Sequence, residues 1–153
     1  MSTSTSSTFL TVGWVPYRPT ENLVSERVVD QRARNRVMES LDWLREGPGD
    51  WGAGEYIAQF FDWMPFDKPP VNGTLNEDET VAIARMCELM NRVSDATPTP
   101  VTDHDLVAGG HLERIKAEAE KTLAVFLKRG RFGEEVEETE PSFEAGQNWS
   151  SSL

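Results

Sequence analysis

The chain has 153 residues, of which 38% are hydrophobic, so it is long enough for one ordinary domain with a packed core. Its formal charge of −11 argues against sequence-independent binding to nucleic-acid phosphate or to anionic lipid, because like charges repel. Its apolar runs are far shorter than the roughly 20 residues of a membrane-spanning helix, so the sequence predicts neither a nucleic-acid-binding nor a membrane protein.

The first 17 residues carry no helical pattern. Residues 1–8 contain only Met, Ser and Thr, which offer nothing to bury, so we expect a disordered N-terminus. They also lack the basic and apolar regions of a secretion signal, and the chain has a single cysteine, Cys87, so we expect a cytoplasmic location. Residues 9–17 are rich in β-favouring residues and predict a short extended segment, at the start of a single domain spanning residues 9–133.

Two helical patterns occupy the first half of this domain. The first begins at Asn22 or Ser25 and ends at Glu46, before a Gly-Pro-Gly sequence that cannot continue a helix. Its apolar side chains recur every three or four residues and predict one buried stripe: Val29, Ala33, Val37, Leu41 and Leu44. The second pattern, residues 53–64, places aromatic and aliphatic side chains at helical spacing and stops before a proline.

Two further helical patterns follow. The third runs from residue 76 to 93 or 94 and opens with an Asn cap and a run of acids, which suit the positive end of a helix. The fourth, residues 102–130, contains the adjacent Gly109 and Gly110, where we expect a break. The sequence therefore predicts an all-α fold, a compact array or bundle of about four helices with a short extended N-terminal segment and disordered ends.

The first helix carries a cluster of positive charge. Residues 27–36 hold four arginines and only one acid, Asp30. We define the basic face as Arg27, Arg32, Arg34 and Arg36. Guanidinium groups bind carboxylates through paired hydrogen bonds, so this face predicts a docking surface for an acidic partner. Two alternatives stay open, namely a solvated face paired with acids of the same helix, and an intramolecular contact with the acidic C-terminal segment.

Residues 134–153 form the most acidic segment. They contain six glutamates, no Lys or Arg and no helical periodicity, so we expect an acidic flexible tail. A flexible tail gains nothing by exposing large rings to water unless they bind a groove, which predicts a short motif that orders on a partner. The alternative is that Trp149 packs onto the domain. The candidate partner-binding residues of the tail are Glu134, Glu135, Glu137, Glu138, Phe143 and Trp149.

Both histidines of the chain lie close to two acids, in the set Asp103, His104, Asp105 and His111. These residue types ligate metals, so the set is a candidate metal site. On one unbroken helix, however, His104 and His111 are about 10 Å apart along the axis, too far to share one ion. The competing interpretation is that residues 102–105 cap a helix and that His111 is an ordinary surface residue.

Three functional hypotheses follow from these features. We favour a non-enzymatic protein-binding domain of the inhibitor, immunity-type or adaptor kind, which needs no cofactor and binds a basic protein surface through its acidic surface and tail. The second is a small-molecule or metal-dependent enzyme with a pocket in the aromatic cluster of residues 43–66. The third is a self-associating helical subunit, in which exposed aromatics of residues 51–66 form a homodimer seam.

Overall fold

The computed structural model describes residues 25–62, 64 and 72–142. The α-helices in this part are α1 (Glu26–Glu46), α2 (Ala53–Phe61), α3 (Glu77–Ala96), α4 (Asp103–Val107) and α5 (His111–Leu127). Single 3₁₀ turns precede α2 and α5, and the residues described contain no strand. The predicted all-α fold class is confirmed: four of these helices have nine residues or more, and α4 has five. The predicted extended segment of residues 9–17 lies outside the described residues.

Local hydrogen bonds explain where the helices begin. The Ser25 side chain accepts from the backbone of Val28 at the start of α1, which selects the later of the two predicted starts. Asn76 caps α3 in a capping box whose second member is Glu79, as the sequence pattern predicts. The predicted fourth helix is two helices, because Gly109 has a φ of 79° that a continuous helix excludes.

The core lies between α1, α3 and α5. Helix α5 packs against both α1 and α3, and α2 packs against α1. From α2, Tyr56 and Phe60 are fully buried, so this part of the aromatic cluster fills the core. Helix α2 ends at Phe61, three residues earlier than predicted, and Trp63 lies outside the described residues. No helix of the described part is long and apolar enough to cross a membrane.

The buried face of α1 differs from the predicted stripe in its first half. Val37, Leu41 and Leu44 are buried as predicted, but Val29 is 48% exposed. The side chains buried in its place are mostly polar, and they recur at helical spacing: Val28, Gln31, Arg34, Asn35 and Met38. A polar buried face requires hydrogen-bonding partners within the fold, and the segment that follows α5 supplies them.

Candidate functional site

Residues 131–142, which we call the strap, lie across the first half of α1. Gly130 ends the preceding turn with a φ of 97°, which turns the chain back towards α1. Phe132 is the buried residue of the strap, only 1% exposed. The guanidinium carbons of three arginines lie 5.2 to 5.7 Å from the centre of its ring, within the range of cation–π attraction. These are Arg27, Arg34 and Arg129.

The side chains of α1 bind the backbone of the strap. Gln31 donates to the carbonyls of Gly133 and Val136 at 3.0 and 2.9 Å, and its carbonyl oxygen accepts from the Glu138 amide at 2.7 Å. The other donors to strap carbonyls are Arg27, Arg32 and Asn35, at distances of 2.8 to 3.0 Å. These bonds pair donors on the polar face of α1 with backbone carbonyls of the strap.

A buried ionic cluster lies beside the strap and joins α1, α3 and the end of α5. The Arg34 and Glu79 side chains are both fully buried and form an ion pair at 2.8 Å, and Arg129 pairs with the same carboxylate at 2.8 Å. Arg34 also donates to the Gly130 and Phe126 carbonyls. Burying charged groups is unfavourable unless each charge is paired and hydrogen-bonded. Here the Glu79 carboxylate is paired with both Arg34 and Arg129.

The pKa directions in this cluster follow from burial and pairing. Burial raises the pKa of Glu79, but hydrogen bonds from Arg129 and Arg34 outweigh it, so the pKa is lowered overall. Burial lowers the pKa of Arg34, whereas the hydrogen bond to Glu79 raises the pKa of Arg129. Both arginines keep their charge at neutral pH because an arginine pKa lies far above 7. Glu79 is therefore a carboxylate held between two guanidinium groups.

Glu134 makes a second, partly exposed ionic contact between the strap and α1. Its carboxylate accepts from Asn35 at 2.8 Å, pairs with Arg36 and lies 3.7 Å from Arg131. Burial raises the pKa of Glu134, but the hydrogen bonds from Arg36 and Asn35 prevail and lower it. This carboxylate fixes the strap to the basic face.

The predicted partner-binding residues therefore contact one another. Of the three arrangements open for the basic face, the structure shows mainly the intramolecular one, although Arg36 also pairs with Glu39 of the same helix at 3.4 Å. Arg34 is fully buried, while Arg27, Arg32 and Arg36 bind the strap. These contacts continue past residue 133, where the sequence analysis placed the boundary between domain and flexible tail. Glu135 and Glu137 are exposed and have no cationic partner within residues 25–142 as described, and Phe143 and Trp149 lie outside the described residues.

The candidate metal residues serve the ends of helices. The Asp103 carboxylate accepts from the Ala53 amide at 2.8 Å, at the start of α2. Asp105 forms a capping box with Thr102, whose backbone amide lowers the pKa of Asp105. His104 is exposed, and His111 contacts Arg114 through Nδ1 at 3.0 Å. Among the described residues, His, Cys, Asp and Glu side chains do not meet in groups of three that could hold a metal ion.

Cys87 is a core residue of α3, and we expect its thiol to be unreactive in the folded protein. It is 2% exposed, and burial raises its pKa to about 11, so the nucleophilic thiolate is scarce at neutral pH. A thiol reagent should label Cys87 at pH 7.5 at least about a hundred times more slowly in buffer than in 6 M urea. Mass spectrometry over a time course measures both rates, and similar rates would contradict a buried thiol.

One aromatic side chain is exposed to solvent just after the C-terminal end of α1. Residues 47–52, which we call the Trp51 loop, connect α1 to α2, and Trp51 is 68% exposed. Its ring lies 5.7 Å from the ring of the half-buried Trp43, tilted at 49°. Trp51 is the last residue of the 3₁₀ turn before α2, and Gly52 follows it with a φ of 88°.

Exposed acids lie close to Trp51 in the sequence. Glu46, Asp50 and Glu55 are exposed, and none forms an ion pair with another described residue. Asp103 belongs to the same region, because it binds the first residue of α2. The sequence assigns Trp51 to the aromatic cluster and allows for its exposure only under the homodimer hypothesis. The available signal was its position between two glycines, since a side chain in such a turn has no helix face to bury.

Comparison of the chain with protein-family models, with curated proteins and with solved structures yields no significant match.

Proposed function

We propose that the chain is a non-enzymatic protein-binding domain that presents an acidic surface around Trp51 to a partner with a basic surface. The single observation that carries the proposal is the 68% exposure of Trp51 among exposed carboxylates without ion pairs. Tryptophan is the residue type most enriched at the energetic centre of protein interfaces. Exposing the Trp51 ring to water is unfavourable. A partner that covers the ring would therefore gain free energy by burying it.

The distribution of charge supports a basic partner. The arginines of α1 bind the strap and Glu79, so their donors are occupied within the molecule. Glu135 and Glu137 add exposed carboxylates at the strap, beside the opposite end of α1. A lysine or arginine of the partner would pair with these acids, and one placed over Trp51 would add cation–π attraction. We propose a cytoplasmic location, which suits a buried free thiol.

Replacing Trp51 by serine tests this proposal directly. Proteins captured from host extract by the full chain should include a basic partner whose affinity falls at least about 30-fold in Trp51→Ser, the size of a hot-spot truncation. The matched control is Val107→Ser, which removes another apolar side chain that is 62% exposed. The association rate should also fall as salt is raised from 50 to 500 mM, because exposed charges are then screened.

Two outcomes would contradict the proposal. Captured partners that bind Trp51→Ser and Val107→Ser as tightly as the wild-type chain would show that Trp51 is not the contact. Sedimentation at several protein concentrations addresses the homodimer hypothesis. Self-association that Trp51→Ser abolishes would assign the surface to a second copy of the chain in place of a basic partner.

A further inference from the structure

The strap follows the last helix of the chain, but the surface that it covers belongs to the first helix. Gln31 and Gly133, which share a hydrogen bond, are 102 positions apart in the sequence. The ion pairs Arg36–Glu134 and Glu39–Arg131 also join α1 to the strap. The strap is therefore a separate structural element that is attached mainly to α1.

The turn at residues 128–130 connects α5 to the strap. The Arg129 and Gly130 amides both donate to the Phe126 carbonyl at 3.2 Å and close the end of α5. Gly130 then takes a φ of 97°, in the left-handed region that residues with a Cβ rarely adopt. Rotation of this backbone to ordinary extended values would point the strap away from its own α1 and leave α5 unchanged. Gly130 is therefore the position at which the strap can open as a unit.

A molecule with an open strap would carry two complementary surfaces. One is the strap itself, with the Phe132 ring and the backbone carbonyls that α1 binds. The other is the polar face of α1, whose Gln31 and Asn35 side chains are fully buried in the closed molecule. Two open molecules would complete each other, because a strap can bind α1 of a second copy through the same atoms that it uses in the closed molecule.

We propose that two copies of this chain exchange straps, each laying residues 131–142 on α1 of the other, with Gly130 as the hinge. The exchanged dimer keeps the hydrogen bonds and ion pairs of the strap and changes the turn at the hinge, which is why such exchange has a low free-energy cost. A short hinge favours exchange. A second copy fits this surface because a strap is the ligand that the structure shows on α1. This inference does not rest on the proposed function, which concerns the Trp51 loop and a different protein.

The net charge sets the salt dependence of the exchange. Each copy has a formal charge of −11, so two copies repel each other at long range. The contacts between strap and α1 are the same in both states, so added salt acts mainly by screening this repulsion. The fraction of dimer should therefore rise with ionic strength. Binding of a basic partner at the Trp51 loop should change in the opposite direction, so the two proposals can fail separately.

Mixed isotope labelling of the full wild-type chain tests the exchange directly. Labelled and unlabelled protein are incubated together at high protein and salt concentration. A nuclear Overhauser effect should then join the Glu138 amide of a labelled copy to the Gln31 side chain of an unlabelled copy, because these groups share a hydrogen bond of 2.7 Å in the strap contact. A dimer without this effect, or sedimentation that detects only monomer under the same conditions, would overturn the proposal.

Gly130→Ala should shift the equilibrium towards the dimer. Alanine is strained at a φ of 97° in the closed turn and is relaxed in an extended hinge, so the fraction of dimer in sedimentation should rise at least about tenfold over the wild-type chain. The matched control is Gly54→Ala in α2, where an added Cβ meets nothing within 4 Å and the φ is not positive. The control should leave the fraction of dimer within about twofold of the wild-type value.

Three outcomes separate exchange from its alternatives. Equal fractions of dimer in the two alanine variants would show that Gly130 is not the hinge and would overturn the proposal. A dimer that Trp51→Ser abolishes would be an aromatic seam instead of an exchange of straps, which also overturns it. If Gly130→Ala loses its helical circular dichroism, the isotope experiment on the wild-type chain decides alone.

Discussion

Replacing Glu79 by glutamine should lower the free energy of unfolding by about 3 to 5 kcal/mol, the usual cost of removing one partner from a buried ion pair. The variant keeps the size of the side chain but leaves Arg34, which is fully buried, without a counter-charge. Arg129 loses its partner in the cluster as well and retains the exposed Glu140. Urea denaturation followed by circular dichroism measures the change.

Glu88→Gln is the matched control for this experiment. Glu88 lies on the same helix and pairs with Arg92 at 3.6 Å, but both side chains are about two-thirds exposed, at 69% and 66%. An exposed pair of this kind contributes about 0.5 kcal/mol or less. Equal losses of stability in the two variants would contradict the view that burial makes the Glu79 cluster essential to the fold.

The same carboxylate predicts loss of stability in acid. The folded-state pKa of Glu79 is lowered, so its contribution is present in full above the ordinary glutamate pKa of about 4.3. That contribution is lost as the pH falls through the folded-state value, when the carboxylate takes up a proton. Glu134 shifts in the same direction and adds to the loss. Unfolding midpoints in urea, measured from pH 7 to pH 2.5, should fall less steeply in Glu79→Gln than in the wild-type chain.

The helices and most of their ends could be predicted from sequence because the signals are local, although α2 ends three residues earlier than predicted. The capping pattern of Asn76 and Glu79 and the glycines at 109 and 110 act within a few residues of where they stand. Periodicity of apolar residues also places the second half of α1 correctly. It fails in the first half because Gln31, Arg34 and Asn35 are buried by partners about a hundred residues away in sequence. The spacing of apolar residues along a helix does not indicate partners so distant in the sequence.

For the candidate sites too, local features could be predicted from sequence, whereas contacts between distant segments could not. Sequence composition identifies the arginines of residues 27–36 and the glutamates after residue 133 as charged segments, and it leaves their mutual contact as one alternative. Choosing among the alternatives required the geometry of the strap, whose backbone carbonyls and not only its carboxylates bind α1. Glu79 has two roles, as a member of the capping box and as a buried counter-ion. Only the first could be predicted from sequence, because only the capping box is local.

Replacing Phe132 by alanine should destabilise the protein by about 3 to 5 kcal/mol, the range for a buried phenylalanine. The ring is 1% exposed and lies against the guanidinium groups of Arg27, Arg34 and Arg129, so its loss opens a cavity beside the ionic cluster. The strap should also loosen before the helices do. Hydrogen exchange at the Glu138 amide, which donates to Gln31, should accelerate more than exchange within α3.

Val136→Ala provides the comparison within the same strap. Val136 is 64% exposed, and its carbonyl, which Gln31 binds, is unaffected by the substitution, so we expect a change within about 0.5 kcal/mol. A loss in Phe132→Ala that is as small as this would mean that the strap is only weakly attached. The arginines of α1 would then be available to an acidic partner after all, as one hypothesis for the basic face requires. A large loss would make the strap an integral part of the domain and leave binding to surfaces such as the Trp51 loop.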